Sequence, residues 1–155
     1  MLLGSMLAGK AFANSPVAAV HALAYPIGGL FNISHGLSNS LVLTSVMKFN
    51  SINKETKKNY ANLAPFVFKD LDNGKSDEIV CNNFIDSLES LSKELKLPYR
   101  LRDLEIPEEA CQLMATEAMK QTRLLVNNPR KIEESDAFNT VSYTHLTLPT
   151  IAGVE

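Results

Sequence analysis

Three histidines, His21, His35 and His145, are the side chains of this sequence best suited to bind a metal ion or move a proton at neutral pH. The first two stand fourteen residues apart. On one straight helix that separation would be about 21 Å at roughly 1.5 Å per residue, too far for two imidazoles to share an ion. Between them lie Pro26 and the pair Gly28-Gly29, which do not comfortably continue a helix. If the chain reverses over Pro26 to Gly29, His21 near the end of one helix and His35 in the first turn of the next converge on a single point. Without such convergence, two histidines in a helical domain are satisfied core or surface residues. Cys81 and Cys111 form no CxxC pair, and they suit small core positions in an intracellular protein with reduced thiols.

The elements that must place these side chains are helical. Residues 2–13 carry small and apolar side chains nearly all round, the pattern of a buried helix, and Asn14-Ser15-Pro16 supplies a stop, a cap and a first-turn proline. A second helix is expected from Pro16 through Val17, Val20 and Leu23 to the break at Pro26. Ser34 caps a third, with Leu37, Leu41, Val42, Val46 and Met47 at helical spacing up to about Asn50, and Asn53 caps a fourth over about 54–68. After the polar turn DLDNGKSD, Ser76 caps a long amphipathic helix with Ile79, Val80, Phe84, Leu88, Leu91 and Leu95 on one face. Pro98 ends it. Pro107 opens another, whose Ala110, Leu113, Met114 and Ala118 face inward, and Asn127-Asn128-Pro129 closes that one. The expected fold is therefore all-α, a helical bundle with no internal repeat.

Composition narrows the classes of function. The 155 residues fit one domain with 45% hydrophobic content, and a formal net charge of -2 with dispersed Lys and Arg indicates neither a nucleic-acid nor a membrane-surface partner. Lys10, Asn14 and His21 interrupt the best candidate for a membrane span. Lys10 also lies inside the apolar run at the N-terminus instead of before it, which disfavours a signal peptide and leaves a cytoplasmic protein as the expectation. An apolar helix that starts at residue 1 without an N-cap looks like the middle of a longer one, so a truncated N-terminus is expected.

From Val141 the character changes. The string VSYTHLTLPT at 141–150 is rich in Thr and β-favouring residues and falls on a helix that Ser135-Asp136-Ala137-Phe138 has just begun. All ten of its residues match the translation of a transposase adapter used in sequencing libraries. Residues 141–155 are accordingly expected to be a non-native, poorly packed tail, and His145 is set aside with them.

The stretch AGKAFANSPVAAVHALAYPIGGLFNISHGLSNSLVLTSVMKFN closely resembles the signature of the iron-containing, group III alcohol dehydrogenases, approximately AGxAFxNxxxxxxHAxAHxxGxxxxxPHGxxNAxLLPxVMxFN. Resemblance continues more weakly through LPYRLRDLEIPEE and the NNPR at 127–130, so it covers essentially residues 1–140. It implies the C-terminal helical, metal-binding domain of the dehydroquinate synthase-like fold. It also implies that His21 and His35 are ligands of a catalytic divalent metal, Fe²⁺ or in some members Zn²⁺. The family's other two ligands, an Asp and a His in a DxxxH arrangement, precede the matching region, as does the nucleotide-binding domain that would hold most of NAD(P). Such a metal is a Lewis acid toward the alcohol oxygen during hydride transfer to the nicotinamide.

Phe12 matches a family position lining the active site near the nicotinamide. Tyr25 stands where many members carry a second histidine, so relay through a histidine there is in doubt, while its hydroxyl can still hydrogen-bond near the metal. Both are candidate catalytic residues. Gly9 and Gly36 are candidates for close helix or ligand approach, and Asn39 is either structural or part of the site. The resemblance implies part of an NAD(P)-linked dehydrogenase for small alcohols and aldehydes or ketones, dimeric at full length and inactive as the isolated chain. Hydroxyacid-oxoacid transhydrogenases and maleylacetate reductases share the architecture, and a stand-alone helical binding module without activity is the alternative from another class.

Overall fold

The computed structural model describes residues 2–71 and 74–146, and among these every regular element is a helix. They are α1 (Leu2–Asn14), α2 (Ala19–Phe31), α3 (His35–Asn50), α4 (Lys54–Val67), α5 (Asp77–Glu94), α6 (Ala110–Met119), α7 (Thr122–Leu125) and α8 (Glu134–Leu146). Short 3₁₀ turns lie at Lys69–Leu71 and Leu101–Leu104. The all-α architecture expected from the 3.6-residue periodicity is the one observed.

Helix α2 is the centre of the larger core. Its Ala19, Leu23, Ala24 and Ile27 are buried together with Leu41, Val42 and Val46 of α3, Met114, Ala115 and Ala118 of α6, and Ala137 and Val141 of α8. α2 packs on α3 and α6, and α6 packs on α8. A second cluster joins Met47 at the end of α3 to Ala61 and Ala64 of α4 and to Val80, Cys81, Phe84 and Ile85 of α5. α3 thus belongs to both cores and ties the halves together.

The boundaries differ from expectation at the place that matters most. α2 begins at Ala19 instead of Pro16 and runs through Pro26, Gly28 and Gly29 to Phe31. Pro26 removes one backbone donor, yet the buried faces of Ala22, Leu23, Ala24 and Ile27 on both sides of it hold the helix on the core. The chain turns later, at Asn32, whose φ of 56° places it in the left-handed region that ends many helices.

On α5 and α6 the expected inward residues Val80, Phe84, Met114 and Ala118 are buried, but others are not. On α5, Val80, Cys81, Phe84 and Ile85 are buried whereas Ile79, Leu91 and Leu95 are exposed. On α6, Cys111 and Ala115 take the inward positions and Leu113 points out. α6 starts at Ala110 and stops at Met119, so the separate turn α7 precedes Asn127-Asn128-Pro129. α1 is helical as its composition requires but buries none of its residues.

Among the caps, Asn53 accepts a hydrogen bond from the Thr56 amide at 3.0 Å, as its place before α4 predicts. Ser34 and Ser76 occupy cap positions without a side-chain bond to the backbone. α8 continues across residue 141 to Leu146, and Val141, Thr144 and His145 are buried on it. The expected interruption of the helix is therefore not observed through Leu146, and residues 147–155 lie outside the described residues.

Candidate metal centre

His21 lies on the first turn of α2 and His35 is the first residue of α3. The turn at Asn32 to Ser34 sets the two helices side by side, and the closeness of their approach depends on Gly28. A Cβ there would meet the Ile33 carbonyl oxygen at 3.2 Å and the Ser38 Oγ at 3.6 Å. Ser38 in turn donates to the Ser34 carbonyl at 3.1 Å and reaches that of Ile33 at 3.4 Å, fixing the start of α3 against α2. Around Gly9 and Gly36 a Cβ would meet nothing within 4 Å, so the close helix approach falls at Gly28, where it was not expected.

As a result the imidazoles of His21 and His35 meet, with ring centroids 5.1 Å apart and planes inclined at 53°. Tyr25, one turn after His21 on α2, has its ring 6.4 Å from that of His21 and 6.3 Å from that of His35. It is 43% exposed, so its side chain is accessible from solvent. A cleft of about 290 Å³ beside Tyr25 is lined by Tyr25, Pro26, Gly29, Leu30, Glu117 and Gln121. Phe12 sits on α1, where it is 58% exposed and packs into neither core cluster. Of the four candidate residues, three are brought together and Phe12 is not placed with them by any ring contact of the pair.

The donors have the chemistry a divalent cation requires. Burial, and secondarily the charge that His35 would carry beside it, hold His21 below the usual histidine range, so its ring is neutral and keeps a lone pair at neutral pH. Asn39, one turn after His35 on α3, places its amide nitrogen 3.1 Å from His35 Nε2 and 2.9 Å from the His35 carbonyl oxygen. Sequence spacing alone left Asn39 undecided between a structural residue and a site residue. Among the described residues no cluster of three or more His, Cys, Asp or Glu is gathered, so the described chain offers two imidazole donors, which fit a share of a ligand set and not the whole of one. Cys81 and Cys111 are free, buried and remote from this role in the two cores.

Comparison with known proteins gives a consistent result. The profile described as "Fe-containing alcohol dehydrogenase family, C-terminal" matches residues 1–144. A long-chain-alcohol dehydrogenase 1 of Geobacillus thermodenitrificans is 37% identical over 139 residues, which are 88% of this chain and 34% of the relative. A 1,3-propanediol dehydrogenase of Citrobacter freundii is 35% identical over 136 residues, with the same coverage of 88% and 34%. The crystal structure of a 1,3-propanediol oxidoreductase superposes with a TM-score of 0.82 at 31% identity, covering 90% of this chain and 36% of that one. The chain thus spans about a third of the length of these relatives.

Proposed function

The chain belongs to the Fe-containing alcohol dehydrogenase family, in its C-terminal helical region, and from that membership we propose that it is the metal-binding part of an NAD(P)-linked dehydrogenase interconverting small alcohols with aldehydes or ketones. The observation that carries this reading is the meeting of two imidazoles, from His21 and His35, across the turn between α2 and α3. Fe²⁺, or Zn²⁺ as the alternative, bound there would supply Lewis acidity toward the alcohol oxygen.

The chain's own residues then divide the work. His21 and His35 each contribute one lone pair, and the helices that carry them are fixed by the α2–α3 packing. Tyr25, whose ring lies 6.4 Å from that of His21 and 6.3 Å from that of His35, is assigned to orient the substrate or to exchange a proton at its phenolic oxygen. Phe12, on the exposed α1, is assigned to the nicotinamide side of the site by the family resemblance alone. NAD(P) is assigned mainly to parts of the protein outside this chain, with a dimer as its assembly. The buried, unpaired cysteines support a reducing, cytoplasmic setting.

The test is elemental analysis of the full-length protein that carries this chain. His21→Ala and His35→Ala are each expected to lose the bound metal and, with it, alcohol-dependent reduction of NAD(P). Retention of metal and turnover by both variants overturns the ligand assignment. The 155-residue chain purified alone is expected to show no such turnover, because its described residues supply only two donors.

A further inference from the structure

Asn39 raises a question that helix stability does not answer. Asparagine is a poor residue for a helix interior, and this one leaves its Oδ1 buried without a hydrogen-bond partner among the described residues. What it does instead is hold its amide nitrogen against two atoms of His35. The backbone carbonyl oxygen at 2.9 Å can only accept, so the NH₂ end of the amide and not its oxygen must lie there. The same NH₂ group is 3.1 Å from His35 Nε2, and its second N–H therefore points at that ring nitrogen. A nitrogen that receives a hydrogen bond must offer a lone pair, which places the proton of the neutral ring on Nδ1.

Resting on the metal-site reading above, we propose that Asn39 is a positioning residue that holds His35 as the Nδ1–H tautomer and so presents an unprotonated Nε2 to a divalent cation. The device is local and needs no third element. Residues four apart on a helix face one another, so the first residue of α3 and its partner one turn on are held in register by the helix itself. The bond to the carbonyl persists when a cation takes the Nε2 lone pair, so Asn39 releases one contact and keeps its place through the other.

The tautomer can be read directly. In the 155-residue chain with ¹⁵N-labelled histidine, at a pH where the rings are neutral, long-range ¹H–¹⁵N correlation is expected to show His35 Nε2 unprotonated and Nδ1 protonated, the signals being assigned with His35→Gln. Asn39→Ala should shift His35 toward the Nε2–H form, and Asn39→Asp, whose carboxylate can only accept, should drive it there fully. Circular dichroism checks that both variants keep their helices. An Nε2 already protonated in the unsubstituted chain, or a tautomer indifferent to Asn39→Ala, overturns the positioning role. Titration with Zn²⁺ separates the two readings. If Asn39→Ala resets the tautomer while Zn²⁺ leaves the His21 and His35 signals unmoved, the metal site falls and the positioning role stands. If Zn²⁺ moves both rings and Asn39→Ala leaves the tautomer alone, the positioning role falls and the metal site stands.

Discussion

Glu89 of α5 meets Lys48 of α3 at 3.3 Å and Lys93 of its own helix at 2.9 Å, with 18% of its side chain exposed. Burial by itself would raise its carboxyl, but the hydrogen bond from Lys93 and the charges of Lys48 and Lys93 outweigh that and hold it below the usual glutamate range. A carboxyl lowered on folding contributes stability that is present above its unfolded value and is lost as pH falls through its folded value. Urea denaturation at neutral pH and near pH 4 should therefore show a smaller acid-induced loss in Glu89→Gln than in the parent chain. The difference is expected to be at most about 1 kcal/mol, since the pair is partly solvated. Tyr25 allows a cleaner separation. In the full-length protein Tyr25→Phe removes only a hydroxyl beside the pair, so metal content should be unchanged while kcat falls by up to about a hundredfold. Loss of metal on this substitution would show that Tyr25 supports the ligands instead of the substrate.

At the scale of elements, the neighbouring glycines of α2 give opposite expectations. Gly29 is exposed and a Cβ there meets nothing within 4 Å, so Gly29→Ala should stabilise the chain by about 1 kcal/mol through helix propensity. Gly28→Ala carries the same propensity gain but presses on the Ile33 carbonyl, which backbone and Ser38 hold in place. Chemical denaturation should find no net gain for Gly28→Ala, and equal stabilisation by both would show that the α2–α3 contact is soft. The same pair explains what could be foreseen. The proline and glycines between the two histidines marked a special join, but α2 runs through them, and His21 and His35 meet across the turn at Asn32 to Ser34, with His21 on the first turn of α2 and not near its end. The position of the join was not readable, because Pro26 is tolerated wherever tertiary burial outweighs one lost hydrogen bond, and here Ala22, Leu23, Ala24 and Ile27 are buried on both sides of it. Asn32, which makes the actual turn, is an ordinary asparagine in the sequence and is marked only by its backbone. The cap at Asn53 was legible because side-chain chemistry alone decides it, and Asn53→Ala should cost about 1 kcal/mol. On α5 and α6 Val80, Phe84, Met114 and Ala118 face inward as expected, whereas Ile79, Leu91 and Leu113 are exposed and Cys81, Ile85, Cys111 and Ala115 are buried beside the expected positions, because neighbouring hydrophobic positions satisfy nearly the same period.

On the scale of the molecule, α1 and α8 show how differently composition and packing can stand to one another. α1 has the apolar content of a buried helix, yet Leu2, Leu3, Met6 and Leu7 are exposed in this chain, which spans about a third of its relatives' length. α8 enters a string with no helical signature and still buries it. The reason is periodicity: Val141, Thr144 and His145 fall on the face already opened by Ala137 and Thr140, so the helix continues over the same core whatever the origin of the residues. Once there they are bound by more than apolar contact. Thr144 shares a 3.0 Å hydrogen bond with Ser45 of α3, His145 Nε2 lies 3.1 Å from the Ile106 carbonyl, and Arg102 Nε donates to the His145 carbonyl at 2.8 Å. These contacts join α8 to α3, the helix that bears His35, and to the segment before α6. For residues 141–146 these contacts run against the poor packing expected of the tail. A chain ending at residue 140 should be less stable than one ending at residue 146 by about 2–4 kcal/mol, the combined scale of one buried valine and the lost buried hydrogen bonds. Thermal melts of the two truncations measure this, and because both lack residues 147–155 the difference belongs to 141–146 alone. Coincident melts would show that α8 contributes nothing past Thr140. If the melts differ as expected, the spectra of His35 in the shorter chain will show whether the loss stays local to α8 or travels along α3 to the histidine pair.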